Sequence, residues 1–305
     1  MEFGCHLPTF GPIATRGNLI AFAQRMEALG YDSLWVSDHV VIPHAIRSRY
    51  PYSDTGQFPL PPTANFLEPL TTLALVAGVT ERVKLGTSIL VLPHRHPVLA
   101  AKMLSTLDHL AGGRLILGVG VGWMEEEIRT LGGPFAKRGA FSDEAIRIMK
   151  KCWSQERASY KGQFVSFDEI GCFPQPARKA IPILIGGHTP RALRRVVELG
   201  DGWHAAFASL PQVEDSLRHI QEGCRLAGRS FHDLAITVRA GLSFRKEPDT
   251  NGRRPLIGTP EEIVDDLKGY RALGVQAVLL ETRQRDLEDM VGIYETFARE
   301  IRPRL

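Results

Sequence analysis

The sequence predicts an α/β fold of the (β/α)8 TIM-barrel kind with loop insertions, on three observations. First, an amphipathic stretch ending in glycine runs at once into a short apolar run at four places: 26–30 before 31–36, 107–113 before 114–117, 197–200 before 201–204, and 271–274 before 275–280. Second, filling the intervals gives eight strand-like and eight helix-like segments in alternation. Third, the 305 residues exceed the ~250 of a typical barrel by the length of a few long loops. Glycine tolerates the left-handed conformation that closes a helix, so each repeat reads as a helix C-cap turning into a strand, the grammar of a parallel sheet. An open doubly wound sheet also alternates, but eight units in one chain favour closure.

In chain order, a strand at 2–7 precedes a helix at 17–29, which Gly30 ends before the strand at 31–37. A helix at 68–79 leads to the strand at 83–88, and a helix at 97–110 runs through Gly113 into the strand at 114–119. A helix at 138–153 precedes the strand at 182–186. Thr189 then suits an N-cap and Pro190 the first position of a helix at 190–199, ended by Gly200 before the strand at 201–206. A helix at 211–227 and a strand at 234–240 follow. Thr259 and Glu262 form a capping box that opens a helix at 260–272, and after Gly274 come a strand at 275–281 and a helix at 286–301.

Residues 1–305 are thus expected to form one domain, with three segments too long to be simple connections. Segments 40–66, rich in Pro and Tyr, and 241–258 follow the second and seventh strands. Both fall on the face where barrel enzymes keep their chemistry, as lids or substrate walls. The third, 154–180, contains an alternation about Lys161-Gly162 that suggests an added β-hairpin.

Composition narrows the function classes. Hydrophobic content of 44% with 23% charged residues is ordinary for a globular protein. A net charge of +3 with no block of like charges leaves no nucleic-acid or membrane footprint. Apolar runs such as Leu85–Leu92 fall far short of the ~20 residues that span a bilayer, and no basic-then-apolar leader opens the chain, so the expected location is cytoplasmic. Cys5, Cys152, Cys172 and Cys224 are scattered without a C-x-x-C pair, which argues against disulfides and structural zinc.

Strand C-termini converge on one pocket in a barrel, which singles out Asp38, His39, Ser88, Val121 to Trp123, Gly186, Gly187, His204, Arg239 and Glu281. Gly186-Gly187-His188-Thr189-Pro190 reads as a phosphate site at a helix N-terminus or, alternatively, as a tight turn without ligand. Gly118-Val119-Gly120-Val121-Gly122-Trp123 lacks dinucleotide-fingerprint spacing; its glycines would let a flat ring lie against the fourth strand, with Trp123 as an aromatic wall or as core packing. Ser37-Asp38-His39 cannot be a triad, because adjacent strand residues point to opposite sides. His39 alone is an acid/base candidate, with a structural histidine as the alternative. His94-Arg95-His96 has no further metal ligand in view, which favours a basic loop contacting an anionic tail.

With these residues laid out, the chain resembles the luciferase-like monooxygenase superfamily, and within it the group that uses the deazaflavin coenzyme F420. The matching stretches are 28–39, 85–89, 113–123, 185–187 and 199–203, in family order. The resemblance implies a (β/α)8 barrel of the bacterial luciferase-like type, with His39 beside the reactive ring position and Asp38 at the ring's polar edge. It implies a non-prolyl cis peptide at Ser88-Ile89 propping the ring from behind, and Gly186, Gly187 and His188 on the phosphate side. Deazaflavin sugar-phosphate dehydrogenases of the superfamily carry Thr-Gly-Glu where this chain has Val121-Gly122-Trp123. Their acid is absent here, which points to a flatter or more apolar substrate with His39 as the main proton-handling group.

The expected activity is hydride transfer between F420 and a small organic substrate, in a homodimer. Its rivals are an FMN-dependent monooxygenase using reduced flavin and oxygen, a metal-dependent barrel hydrolase or isomerase using Asp38, His39, His204 and Glu281, and a cofactor carrier without turnover.

Overall fold

The computed structural model describes residues 1–248 and 253–305. In chain order it contains β1 (Glu2–His6), α1 (Arg16–Ala28), β2 (Ser33–Val36), α2 (Pro69–Ala77), β3 (Lys84–Val91), α3 (Pro97–Leu110), β4 (Leu115–Gly120), α4 (Glu125–Thr130) and α5 (Arg138–Ser154). There follow the hairpin β5 (Ala158–Lys161) and β6 (Ser166–Ile170), then β7 (Ile183–Gly186), α6 (Pro190–Leu199), β8 (Gly202–Ala206), α7 (Leu210–Ala227) and β9 (Ala235–Gly241). The short ladder β10 (Ser243–Phe244) and β11 (Ile257–Gly258), α8 (Pro260–Ala272), β12 (Ala277–Glu281) and α9 (Leu287–Thr296) complete the path.

Eight strands close into a parallel barrel in the order β1-β12-β9-β8-β7-β4-β3-β2. Each strand anticipated from the sequence is present within a few residues, and the helices at 97–110, 190–199 and 260–272 have the expected bounds. The Thr259/Glu262 capping box is formed and Thr189 caps α6. The hairpin about Lys161-Gly162 is there, outside the barrel. Two features depart from expectation. The last helix passes after Thr296 into a π-helical turn, Phe297–Ile301, and α4 occupies a stretch to which the sequence assigns no element. Residues 249–252 of the segment 241–258 lie outside the described residues, and its remainder carries β10 and β11.

Two apolar cores hold the layers together. The larger lies between barrel and helices; the smaller, Trp35, Leu184 and Leu279, fills the barrel itself. Trp35 fits because two facing positions have no side chain. A β-carbon at Gly86 would collide with the indole, and one at Gly4 would sit 2.6 Å from its Nε1. The indole donates to Ser33 Oγ at 2.8 Å and lies parallel to the buried His204 ring, centroids 5.3 Å apart.

The β3–β4 pairing breaks register between Thr87 and Leu90, and the Ser88–Ile89 peptide between them is cis. The bulge turns Ile89 toward β4 and β7, where Gly120 and Gly186 leave it room: a β-carbon on Gly120 would strike Ile89 Cδ1, and one on Gly186 would lie 3.0 Å from Ile89 Cγ2.

If Trp35 and its glycines fill the barrel as described, Gly86→Ala overpacks it and lowers unfolding free energy by about 1–3 kcal/mol. Gly17→Ala in α1, where a β-carbon meets nothing within 4 Å, changes it by less than about 0.5 kcal/mol. Urea denaturation of both variants checks the contrast.

Candidate active site

The barrel order divides the mouth into two arcs. The residues singled out as cofactor contacts come from the ends of β2, β3, β4 and β7, which are contiguous in the barrel. The other arc, the ends of β8, β9 and β12, lines a cavity of about 360 Å³. The lid segment 40–66 contributes Tyr50, Tyr52 and Pro59 to its wall, and Phe207, Arg254 and Arg283 face it.

His39, just past β2, is held by a residue the sequence reading missed. Its Nδ1 lies 2.6 Å from Oε2 of Glu127, whose side chain is 1% exposed. The other oxygen of Glu127 accepts the backbone N–H groups of Val40 at 2.6 Å and Val41 at 3.2 Å. One residue earlier, Glu126 accepts from Arg47 and Ser48. The first turn of α4 therefore pins the lid where it leaves the barrel and orients the imidazole in the same contact. Position 123 carries no acid, and the carboxylate that meets His39 comes from position 127. The available signal was three consecutive glutamates, Glu125 to Glu127, where a helix N-terminus favours negative charge.

Around His39 the lid builds a wall of rings. Phe58, Phe66 and Trp123 stand 4.8, 5.2 and 6.0 Å from the imidazole, centroid to centroid. Tyr50 contacts Phe58 and Trp123, and Tyr52 carries the chain of rings on to Phe207. Trp123 is partly exposed and belongs to this wall rather than to either core.

Asp38 departs from its expected place at a ring edge. It is buried, accepts from Arg95 through both oxygens at 2.7 and 3.1 Å, and takes the N–H of Val91. Burial alone would raise its carboxyl, but His94 and Arg95 outweigh that and hold it well below the usual range. With no exposed side-chain surface, it cannot meet a ring edge without breaking this pairing, so it anchors the loop after β3. Arg95 does not reach toward an anionic tail either: it joins Asp38 to Glu68.

The glycines of β4 have a different use from the one expected. The space at Gly118, Gly120 and Gly122 is taken by Thr87 O, by Ile89, and by Val91 with Ile128, so these glycines admit the β3 bulge rather than a flat ring. Ile89 itself is left partly exposed at the mouth while Ser88 is buried. Val121, Gly122, Gly186, Gly187 and His188 are partly exposed as well. Gly187 has φ +110°, and His188 donates to Ala206 O through Nε2, its buried Nδ1 meeting no partner among the described residues. A ledge at Ile89 near a helix N-terminus fits a planar ring with an anionic tail.

The four candidate metal residues do not converge. Asp38 pairs with Arg95 and His39 with Glu127. His204 bridges Ser88 Oγ and Thr237 Oγ1 at 2.7 Å each, and Glu281 pairs with Arg239 and Arg283. Among the described residues no three His, Cys, Asp or Glu side chains are grouped to hold a metal ion. Burial, Arg239 and His188 push His204 down to about 3. Burial would raise Glu281, but Arg239, His6 and Arg283 bring it down to about 2. Glu281 lines the cavity at the end of β12, and His204 is buried in β8 between Ser88 and Thr237.

A closed β/α barrel with an imidazole–carboxylate pair under a loop lid is a ligand-binding barrel of the usual polarity, its site at the strand C-termini. A model of the luciferase-like monooxygenase family matches residues 1–251, and the chain belongs to that family. An uncharacterised protein of Mycobacterium tuberculosis (strain ATCC 25618 / H37Rv) is 36% identical over 273 residues, 88% of this chain and 91% of that one. An F420-dependent glucose-6-phosphate dehydrogenase of Kineococcus radiotolerans is 30% identical over 238 residues, 76% of this chain and 65% of the relative. Of solved structures, an F420-dependent secondary alcohol dehydrogenase in complex with an F420-acetone adduct superposes with a TM-score of 0.79 at 18% identity, covering 99% of this chain and 98% of the other. The oxygenating constituent of 3,6-diketocamphane monooxygenase from Pseudomonas putida, in complex with FMN, gives 0.75 at 17% identity, covering 100% and 98%. Among the described residues no helix is long and apolar enough to cross a membrane.

Two buried histidines give the fold a pH dependence of fixed sign. Burial and Arg239 lower His6 to about 4, and His204 lies at about 3, both from an ordinary 6.5. Below pH 6.5 the unfolded chain takes up protons that the folded chain refuses, so stability is full above 6.5 and falls as pH drops toward 4. The slope is up to about 1.4 kcal/mol per pH unit for each histidine. Urea midpoints between pH 7 and 4.5 should show the fall, and His204→Asn should make it shallower.

Proposed function

We propose that this chain is an oxidoreductase transferring hydride between coenzyme F420 and a small organic substrate. The observation that carries the reading is the His39–Glu127 pair, which supports His39 as a proton-handling imidazole at the same barrel mouth as the Ile89 ledge. When bound, the deazaflavin supplies the hydride exchange. Ile89 would support the ring, and Gly186, Gly187 and His188 would receive its phosphate side. The 30% identical F420-dependent relative supports this cofactor.

The residues of this chain supply everything except the hydride. Glu127 fixes the imidazole through Nδ1, which leaves Nε2 as the nitrogen able to exchange a proton with a substrate oxygen. The ring wall of Phe58, Phe66 and Trp123 excludes water from that exchange. The substrate would reach from His39 into the second arc, its apolar body against Tyr52 and Phe207 and a second polar group toward Arg283, whose side chain is half exposed. Tryptophan in place of an acid at position 123 disfavours a sugar phosphate. A homodimeric, cytoplasmic enzyme completes the reading.

The test is turnover with a panel of small alcohols, ketones and unsaturated carbonyl compounds, with F420 followed by absorbance and oxygen consumption recorded in parallel. Hydride exchange with F420 and no oxygen uptake is expected, and His39→Ala should cost at least about 100-fold in kcat. Oxygen uptake driven by reduced FMN would replace the proposal with a monooxygenase.

A further inference from the structure

Beside the pair already described lies a third buried titratable group that this chemistry leaves unused. His94, just past β3, is 2% exposed at its side chain. Its Nε2 stands 3.7 Å from Oε2 of Glu127 and its Nδ1 3.7 Å from Oδ2 of Asp38, and Nδ1 has no hydrogen-bond partner. The same Oε2 of Glu127 receives His39 at 2.6 Å, while Oε1 is committed to the lid backbone. One carboxylate oxygen is therefore approached by two imidazoles.

We propose that His94 is a positioning residue that competes with His39 for the single negative charge of Glu127 and so governs how readily His39 gives up its proton. Asp38 already has its cation, since Arg95 meets both of its oxygens and spends its remaining reach on Glu68, which is about a third exposed. Among the described residues Glu127 meets no lysine or arginine, only the two imidazoles. Left with two neutral imidazoles it would be a buried, uncompensated charge; with two imidazolium ions it would hold like charges together at one oxygen. One proton shared between the two rings is the balanced state. The groups facing His39 are Glu127 from α4, the lid rings of Phe58 and Phe66, and Trp123 after β4. Those facing His94 are Asp38 after β2 and Glu127, with Arg95 beyond Asp38. A proton on His94 weakens the hold of Glu127 on the proton of His39, making His39 the readier acid toward substrate.

The inference rests on His39 being the proton-handling group, yet it can be tested without cofactor or substrate. Protein labelled with 15N at histidine is titrated by NMR as the full chain, wild type and His94→Gln. The wild type should show coupled protonation of His39 and His94. In His94→Gln the His39 curve should become a single step displaced about one pH unit upward. Coupling is reciprocal, so His39→Gln should displace His94 upward by a similar amount, which keeps the test open if the first variant folds poorly. Superimposable His39 curves in wild type and His94→Gln, or a His94 curve unmoved by His39→Gln, would overturn the proposal. Coupled curves in a protein that turns over no substrate with F420 would sink the functional reading and leave the coupling intact.

Discussion

Connections between strands and helices leave backbone N–H groups with no ladder to join, and a buried donor without a partner costs as much as a lost hydrogen bond. This chain meets that constraint with carboxylates carried on helices. Glu27 of α1 accepts the N–H groups of residues 81 to 83 before β3. Glu144 of α5 accepts those of 163 to 165 at the hairpin turn, and Glu126 and Glu127 of α4 accept those of the lid. Each is a charge-assisted bond, roughly twice as strong as a neutral one. Removing any of these carboxylates would free a loop as well as a charge.

At Glu127 the structural device and the chemistry share one side chain. A carboxylate buried to satisfy the lid must itself be balanced, and the groups near enough to do so are His39 and His94. The placement of the His39 imidazole is thus a consequence of tying down the loop above it. The lid then covers what it helps to position, with the rings of Phe58 and Phe66 packed on the same imidazole. Elsewhere on the mouth, the Arg239–Glu281–Arg283 cluster braces the ends of β9 and β12 beside the cavity.

The barrel was legible because its signals are local. Glycine-ended helices and short apolar runs recur often enough to count units, and the caps at Thr189 and Thr259 are properties of a few adjacent residues. The places of His39, Gly186 and Gly187 at strand ends were legible for the same reason, whereas Ile89 came into view only through the family resemblance. What the sequence concealed depends on distant partners. Asp38 looked like a ligand because nothing local marks Arg95 as its counter-ion, 57 residues on. Glu127 looked like one acid among three on a short polar stretch, although it meets His39 across 88 residues. The glycines of β4 invited a ligand when their true neighbour is the bulge of β3, whose close approach only the barrel's register reveals.

A planar cofactor resting at the Ile89 ledge is what the proposed chemistry requires, and fluorescence titration of the purified protein with F420 and with FMN, oxidised and reduced, reads that most directly. Micromolar, saturable binding of F420 well in excess of FMN is the expected result. Binding of FMN alone would contradict the proposed chemistry, and binding of neither would contradict the assignment of the site itself.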